Sequence, residues 1–238
     1  MAVGRLDGRV VAVAGAGGGL GPVVCERLAS EGATVAATDI SQERLDAIPA
    51  EAGIPEERWD GRVVDLLDEA AAAAWCADLV ERFGRVDGLI HLVGGWKGGQ
   101  PLHTEPLEDW ALLHDLLIRT VQHTTRGFHD ALAASEHGRF VLVSARQAQS
   151  PSNDNAVYAS AKAAAEAWTL AYADGFEDSP ATANIVVVNA ILTPRMREAN
   201  PEGAYATFTP AEHLAEAIAF LCSEEGGRMN GQRLSLHP

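Results

Sequence analysis

The sequence predicts a doubly wound parallel sheet of the α/β class, and three observations lead to this prediction. Short β-branched runs alternate with longer alanine-rich stretches over 238 residues, as expected for repeated βα units around a buried parallel sheet. The connections are short and carry Gly, Pro, Asn or Asp. No low-complexity linker or change in charge divides the chain, so we expect a single domain over residues 1–238.

The predicted elements follow in order along the chain. Short apolar runs bounded by turn residues predict strands near 9–14, 33–38, 61–65, 86–93, 138–144, 183–190 and 232–236. Apolar residues at helical spacing predict helices over 19–31, 41–51, 67–83, 106–135, 155–175 and 210–223. The stretch TPRMREANPEGAYATFT at 193–209 has two prolines and little periodicity, which predicts a loop. This loop is either a lid over a ligand or a surface excursion.

The composition disfavours several classes of partner. A formal net charge of −15 opposes binding to nucleic acid or anionic lipid, so we expect a small-molecule ligand. Cys25, Cys76 and Cys222 lie far apart without Cys/His ligand spacing, which predicts neither disulfides nor a metal site and favours the cytoplasm. The apolar run Val10–Ala14 is too short for a signal segment or a membrane span, so no membrane association is expected.

A glycine-rich loop follows the first predicted strand. The sequence AGAGGGLG, Ala14–Gly21, runs from that strand into an amphipathic stretch, which is the arrangement of a pyrophosphate-binding turn. Glycines allow close backbone approach, and the helix N-terminus supplies N–H groups. The glycines at positions 15, 19 and 21 have the spacing Gly-x3-Gly-x-Gly, which differs from the GxGxxG fingerprint of dinucleotide-binding folds.

Two acidic residues end the second and third predicted strands. Asp39 lies 18 residues beyond Gly21, where a carboxylate would accept hydrogen bonds from an adenosine ribose and repel a 2′-phosphate. We therefore expect NAD in preference to NADP. The alternative for Asp39 is a turn or helix-capping role before SQERL. Asp65 is predicted to reach an adenine amino group, with capping of the following helix as a nearly equal alternative.

A tyrosine and a lysine form the strongest candidate for chemistry. Tyr158 and Lys162 are four positions apart in an alanine-rich helical stretch, so both side chains lie on one face. A nearby ammonium stabilises a phenolate and lowers the pKa of the tyrosine, as a tyrosine general acid/base near neutral pH requires. An incidental solvated helix face is the weaker alternative.

Taken together, the motifs resemble the short-chain dehydrogenase/reductase family over essentially the whole chain. They are AGAGGGLG, Asp39, VDL at 64–66, DGLIHLVGG at 87–95, Tyr158-x3-Lys162 and the terminal NGQRLSLHP. The resemblance implies a seven-stranded Rossmann sheet in three αβα layers. It also implies NAD(P)-dependent hydride transfer between nicotinamide and a carbonyl or alcohol substrate, and assembly as a homodimer or homotetramer.

The resemblance further implies roles for individual residues. Tyr158 would be the proton donor or acceptor, and Lys162 would hold the nicotinamide ribose and lower the pKa of the tyrosine. The remaining cofactor-binding residues would be Gly15, Gly19, Leu20 and Gly21 at the pyrophosphate, Asp39 at the adenosine ribose, Asp65 and Leu66 at the adenine, Gly94 beside the cofactor and Thr193 at the nicotinamide carboxamide.

Two positions depart from the family's catalytic pattern. The family's serine, 13 residues before the tyrosine, is Ala145, and its active-site asparagine, seven positions after Trp110, is Leu117. Neither side chain can hydrogen-bond. Ser144 is the predicted substitute for the serine, although adjacent residues of an extended strand point to opposite faces. Arg146 and Gln147 are further polar candidates, and surface placement is the favoured interpretation of both.

The nicotinamide end departs from the pattern in other ways. The family's Asn-Asn-Ala-Gly appears as HLVG at 91–94, and we interpret His91 as a structural replacement in preference to a catalytic imidazole. The family's Pro-Gly after the sixth strand is missing, so Thr193 is either the nicotinamide contact or an ordinary loop threonine. Trp96 and the 193–209 loop either line an apolar substrate pocket or serve packing.

These features support two hypotheses. The first is an NAD-dependent oxidoreductase that uses Tyr158 and Lys162, with other groups or a water in place of the serine. The second is a nucleotide-binding protein of the same fold with weak or no turnover, because Ala145 and Leu117 replace two functional side chains. A different reaction on the same scaffold, such as dehydration or isomerisation, is a third and weaker hypothesis.

Overall fold

The structure, a computed structural model, describes residues 4–237. Its strands are β1 Val10–Ala14, β2 Thr34–Asp39, β3 Trp59–Val63, β4 Gly88–His91, β5 Arg139–Ala145, β6 Thr182–Val188, β7 Ala190–Leu192, β8 Phe208–Pro210 and β9 Arg233–Ser235. Its α-helices are α1 Gly21–Ser30, α2 Gln42–Glu51, α3 Glu69–Phe83, α4 Glu108–His114, α5 Thr120–Ala134, α6 Ala156–Asp174, α7 Pro194–Ala199 and α8 Ala211–Cys222. The predicted strands and long helices are all present, and most of their ends lie within a few residues of the predicted ones.

Seven strands form one parallel sheet in the order β3-β2-β1-β4-β5-β6-β9. The chain moves outward from β1 through β2 to β3 and then returns to place β4 on the other side of β1. This reversal opens a crevice beyond the carboxyl ends of β1 and β4, which is where open α/β sheets bind ligands. The predicted doubly wound fold is therefore confirmed.

Helices cover both faces of the sheet because the central strands are apolar on both sides. Along β1, Val11 and Val13 belong to a buried cluster with α1, α2 and α8. Ala12 and Ala14 belong to a second cluster with α3, α5 and α6. Successive residues of a strand point to opposite faces, so one continuous apolar run serves two cores. Three αβα layers result.

Local signals account for the ends of helix α3. The Asp68 side chain accepts hydrogen bonds from the backbone N–H groups of Ala70 and Ala71, which would otherwise have no partner at the helix start. Gly84 ends the helix with φ of 75°, a left-handed conformation that glycine adopts without a steric penalty. Asp68 therefore caps this helix, and Asp65 does not.

Two regions differ from the predicted secondary structure. The predicted irregular loop at 193–209 begins with α7, and its end forms β8, which pairs with β7 in a small parallel sheet. The predicted helix over 106–135 is divided by a π-helical turn at Asp115–Arg119. A π-turn leaves backbone carbonyls outside the regular α-helical pattern and often marks a functional site. Among the described helices, none is long and apolar enough to cross a membrane.

Candidate active site

Two clefts lie at the carboxyl edge of the sheet and meet over the glycine loop. The first, about 610 Å³ in volume, contains Tyr158 and Lys162. The second, about 570 Å³, contains Asp39 and Asp65. The residues that line both clefts are Gly15, Gly18, Leu92, Val93 and Gly94. The structure thus brings the predicted adenosine end and the predicted reaction end to the two ends of one groove.

Glycine is required at two positions of the loop above α1 because the backbone packs closely there. Gly15 has φ of 82°, and a Cβ at this position would lie 2.8 Å from the backbone nitrogen of Val93. A Cβ on Gly21 would lie 1.9 Å from the carbonyl oxygen of Ala16, so the start of α1 also requires glycine. No side chain caps the N-terminus of α1, where Leu20 and Gly21 line the first cleft. The Gly21 N–H donates to the Gly18 carbonyl at 3.1 Å and Pro22 has no N–H, so the positive end of the helix dipole is what suits a pyrophosphate here.

Asp39 lies at the end of β2 with both carboxylate oxygens engaged. Oδ2 accepts a hydrogen bond from the backbone N–H of Gly17 at 3.0 Å, and Oδ1 accepts one from Ser41 at 3.1 Å. Arg44 Nη2 lies 2.9 Å from Oδ1, and this arginine side chain is half exposed. Sequence reasoning missed Arg44, which lies five residues after Asp39, in α2, and lines the same cleft. Two backbone N–H groups therefore hold the Asp39 carboxylate in place at the cleft, and Arg44 is its positively charged neighbour.

Asp65 and Leu66 line the wall of the second cleft. Asp65 Oδ1 accepts a hydrogen bond from the backbone N–H of Leu67 at 2.9 Å, which fixes the carboxylate in a local turn. The Leu66 carbonyl accepts from His123 Nδ1 at 3.0 Å, so α5 anchors this segment. Both residues lie on the cleft wall where an adenine ring would make contact.

Thr193 lies beside the glycine loop, although residues 19 and 193 are far apart in the chain. A Cβ placed on Gly19 would be 3.1 Å from Thr193 Cγ2. The Thr193 hydroxyl accepts a hydrogen bond from the backbone N–H of Met196 at 3.2 Å and so caps α7. The start of the 193–209 segment thus contacts the edge of the first cleft.

Tyr158 and Lys162 both line the first cleft from α6. Lys162 Nζ donates a 2.9 Å hydrogen bond to the carbonyl of Val143, which leaves two further donors on the ammonium group. Lys162 is buried, and burial lowers its pKa to about 8, although the nearby Glu166 carboxylate opposes this shift. The lysine is therefore mainly charged at neutral pH and loses its proton in mildly alkaline solution.

The pKa of Tyr158 differs from the predicted one. Burial raises the pKa of this phenol to about 12. The tyrosine packs against an apolar cluster that includes Leu117, Val157 and Ala161, and removal from water disfavours the phenolate. The expectation that Lys162 lowers the tyrosine pKa is thus not met in this structure, because loss of solvation is the larger effect. The phenol is fully protonated at neutral pH.

Ser144 is bonded to a buried carboxylate. Its Oγ donates a 2.7 Å hydrogen bond to Glu166 Oε1, and Glu166 Oε2 lies 2.6 Å from Nε of Arg233 on β9. Within residues 4–237, Ser144 makes no hydrogen bond to Tyr158. Sequence reasoning missed Glu166, although its position four residues after Lys162 places it on the same helix face.

Apolar side chains occupy the two positions where the family pattern has polar ones. Ala145 is buried and lines the first cleft, and Leu117 is buried within the π-turn. Gln147, two positions after Ala145, also lines the cleft. Its Oε1 is buried and has no hydrogen-bond partner in the described part of the chain. Arg146 is exposed and does not line this cleft, so surface placement holds for Arg146 and fails for Gln147.

His91 is a buried structural residue. Its Nε2 lies 3.1 Å from Thr120 Oγ1, and its Nδ1 lies 3.3 Å from Thr124 Oγ1. Thr120 donates its own proton to the Leu116 carbonyl at 2.7 Å, so His91 is the donor to Thr120. Burial and the charge of Lys162 lower the pKa of His91 to about 3. The imidazole is neutral at physiological pH and braces β4 against α5.

Comparison with known proteins places this groove in a family. The family model described as "short chain dehydrogenase" matches residues 9–204, which include both clefts' principal residues. The chain belongs to the short-chain dehydrogenase family. Its fold and its oxidoreductase class follow from this membership. No group of three or more His, Cys, Asp or Glu side chains within residues 4–237 is arranged to hold a metal ion.

Individual short-chain dehydrogenases are similar along their whole length. The 3-oxoacyl-[acyl-carrier-protein] reductase FabG of Thermotoga maritima is 29% identical, with 98% of this chain and 97% of that protein covered. The structure of a short chain dehydrogenase from Burkholderia cenocepacia in complex with NADP has a TM-score of 0.84 and 28% identity, with 97% of each chain covered. NAD+-bound xylitol dehydrogenase has a TM-score of 0.86, with 98% of each chain covered, and at 22% identity this likeness concerns the fold.

Proposed function

We propose that this protein is an NAD-dependent oxidoreductase that transfers hydride between nicotinamide and a carbonyl or alcohol substrate, with Tyr158 as general acid/base. The observation that carries the proposal is the groove formed by the two clefts, with Asp39 at one end and Tyr158 and Lys162 at the other. An extended dinucleotide suits such a groove. The Thermotoga maritima reductase and the NADP-bound dehydrogenase from Burkholderia cenocepacia, 29% and 28% identical to this chain, support the same class of chemistry.

The residues of the groove fit this cofactor. The N-terminal end of α1, with its positive dipole, and the glycine loop would hold its pyrophosphate, and Asp39 would accept hydrogen bonds from the adenosine ribose. Asp65 and Leu66 would contact the adenine, while Gly94 and Thr193 would flank the nicotinamide. When bound, the nicotinamide supplies hydride for reduction or accepts it for oxidation.

Proton transfer is assigned to the side chains of α6. During carbonyl reduction, the Tyr158 hydroxyl would donate its proton to the substrate oxygen as negative charge develops there. Lys162 would hold the nicotinamide ribose, and its ammonium would stabilise the tyrosine phenolate that remains. Because burial raises the pKa of Tyr158 to about 12, the phenol carries the proton that reduction requires.

The reaction cleft suits an uncharged, largely apolar substrate. Trp96, Val188 and Ile191 line it, and the one charged side chain among its lining residues is Lys162. Trp96 is 59% exposed, so its ring forms part of the rim. The start of the 193–209 segment at Thr193 places this segment beside the rim, and we propose that it forms the lid of the cleft.

A second candidate is a nucleotide-binding protein without efficient turnover. The observation in its favour is the loss of polar groups at Ala145 and Leu117, together with the engagement of the Ser144 hydroxyl by Glu166. Loss of one positioned donor costs roughly a hundredfold to a thousandfold in rate, which slows an enzyme without abolishing catalysis. The retained pair of Tyr158 and Lys162 therefore favours the enzyme.

The test combines binding and turnover. NADH affinity is measured by fluorescence titration, and NADH oxidation is followed with ethyl acetoacetate, acetoacetyl-CoA and cyclohexanone. We expect reduction of at least one ketone, and a loss of about a hundredfold or more in kcat for Tyr158→Phe with unchanged NADH affinity. Tight NADH binding without turnover of any ketone would favour the second candidate. If Tyr158→Phe left turnover unchanged, the proposed role of this tyrosine as general acid/base would be contradicted.

Assembly and location are part of the same proposal. We propose a cytoplasmic homodimer or homotetramer. Exposed apolar side chains of Leu107, Trp110 and Leu112 at and near α4 support an interface there, because such patches usually meet a partner. Sedimentation velocity at micromolar concentration tests this, and a monomer at all concentrations would contradict it.

A further inference from the structure

The wall of the reaction cleft changes from apolar to polar where β5 ends. Ala145 ends the strand in an extended conformation, with φ of −125° and ψ of 146°, and a short 3₁₀ turn follows at Arg146–Ala148. Ala145 and Gln147 both line the cleft that contains Tyr158 and Lys162. The first polar side chain on this wall beyond the apolar Ala145 is therefore an amide.

The polar side chains of this cleft fall into two groups. Ser144 donates to Glu166, Lys162 donates to the Val143 carbonyl, and Asn189 Nδ2 donates to the Thr207 carbonyl at 3.3 Å. The Tyr158 hydroxyl and the Gln147 amide make no hydrogen bond within residues 4–237. Buried polar groups in folded proteins are almost always paired, and Gln147 Oε1 is buried without a partner, so this amide on the cleft wall is a candidate for pairing with a ligand.

The chemistry of the amide suits a substrate oxygen. A glutamine side chain carries one acceptor and two N–H donors, and rotation about its last bond exchanges the two ends. Either end of the Gln147 amide can therefore face the cleft. An N–H donor stabilises negative charge that develops on an oxygen and does not transfer its own proton. Carbonyl reduction needs a hydride and a proton, and a second hydrogen-bond donor to the carbonyl oxygen accelerates it by stabilising the charge that develops there.

We propose that Gln147 binds the substrate oxygen through Nε2 and so takes the place of the hydroxyl that is absent at Ala145. This inference rests on the proposed function and specifies the ligand as a neutral carbonyl or alcohol group whose oxygen lies between Tyr158 and Gln147. Tyr158 remains the source of the proton. Ser144 then has a structural role, because its single proton is directed to Glu166.

The experiment compares four variants with the wild type in ketone reduction by NADH. Gln147→Ala removes the donor, and Gln147→Glu keeps the shape of the side chain without the donor. Arg146→Ala is the control, because Arg146 is the exposed neighbour outside the cleft. Gln147→Ala combined with Ala145→Ser restores a hydroxyl at the position where the family pattern has serine.

The expected pattern separates a hydrogen bond to substrate from a packing effect. Gln147→Ala should lower kcat/KM about a hundredfold with unchanged NADH affinity, while Arg146→Ala stays within twofold of the wild type. The Ala145→Ser change should restore most of the rate to Gln147→Ala. For Gln147→Glu, kcat/KM should rise about tenfold per unit as pH falls toward 5, because the protonated acid regains a donor.

The outcomes for Gln147 and for the proposed function are distinguishable. If the wild type reduces a ketone and Gln147→Ala does so equally well, the role of Gln147 is overturned while the proposed function stands. If no ketone is reduced, the proposed function fails. The side-chain amide NMR signals of Gln147, assigned by their loss in Gln147→Glu, then decide the binding role: a shift on adding cyclohexanone to the NADH-saturated protein supports it, and no shift overturns it.

Discussion

The Ser144 hydroxyl donates a 2.7 Å hydrogen bond to the buried Glu166 carboxylate, so the serine at the end of β5 is bonded toward the interior of the fold. Glu166 is paired in turn with Arg233 of β9 at 2.6 Å. These contacts join the strand that precedes the reaction cleft, the helix that carries Tyr158 and Lys162, and the last strand of the sheet. Ser144, Glu166 and Arg233 therefore form a structural brace that joins these three elements.

This brace predicts a loss of stability in Arg233→Met. The Glu166 side chain is 2% exposed, and removal of the arginine takes away the cation paired with it at 2.6 Å, leaving hydrogen bonds from Ser144 and Gln149 and the nearby charge of Lys162. Breaking one side of a fully buried ion pair costs about 3 kcal/mol, and because the Arg233 side chain is 38% exposed we expect a smaller decrease, roughly 1 to 2 kcal/mol, in the free energy of unfolding at pH 7. Urea denaturation measures it. Adding Glu166→Gln should recover most of the loss, because the neutral amide still accepts from Ser144, and no recovery would contradict the explanation.

The buried ammonium of Lys162 predicts an unusual dependence of stability on pH. Its pKa is lowered from 10.5 to about 8 by burial, so below pH 8 the lysine is protonated in both folded and unfolded chains and destabilises the fold. Between pH 8 and 10.5 the folded protein releases the proton first, and this penalty of roughly 3 kcal/mol disappears. Lys162→Met should therefore be more stable than the wild type at pH 7 and lose that advantage near pH 10.5. Thermal unfolding across this range is the measurement, and a constant difference would refute the interpretation.

Much of this arrangement can be predicted from local sequence, and the rest depends on contacts between distant segments. The apolar runs of the strands and the four-residue spacing of Tyr158 and Lys162 can each be recognised from a few neighbouring residues. Glu166 and Arg233 are 67 residues apart in the chain, so no local sequence pattern predicts their pairing. The high pKa of Tyr158 likewise comes from burial against the π-turn, which only the packed fold creates.

Helix α7 is a different case, because a local sequence signal marks its start. Thr193 followed by Pro194 places a capping hydroxyl and a preset φ at a helix start. The scarcity of apolar periodicity in the 193–209 stretch concealed this signal. An exposed six-residue helix buries too little surface to show a periodic pattern, so its start residues are the informative ones.

The same lysine predicts the pH profile of catalysis. If the Lys162 ammonium assists Tyr158, kcat/KM for ketone reduction should fall as pH rises above about 8, where the free protein loses this proton. In Lys162→Arg the falling limb should move to higher pH, because guanidinium stays charged. The position of the limb is the readout, whatever the absolute rate. A wild-type profile that stays flat to pH 10 would show that the lysine charge does not assist the reaction.

The contact between Asp39 and Arg44 predicts how cofactor preference can be changed. Arg44 Nη2 is held 2.9 Å from the Asp39 carboxylate, and both residues line the second cleft, the proposed adenosine end of the groove. In Asp39→Asn the repulsion of a 2′-phosphate is removed and the arginine is released to pair with it, since guanidinium binds phosphate well. Fluorescence titration should show the ratio of NADH to NADPH affinity shifting toward NADPH by about tenfold or more, equivalent to about 1.4 kcal/mol. The double variant Asp39→Asn/Arg44→Ala should lose most of this gain. A wild type that binds both cofactors equally would remove the selective role of Asp39, and an equal gain in the double variant would remove that of Arg44.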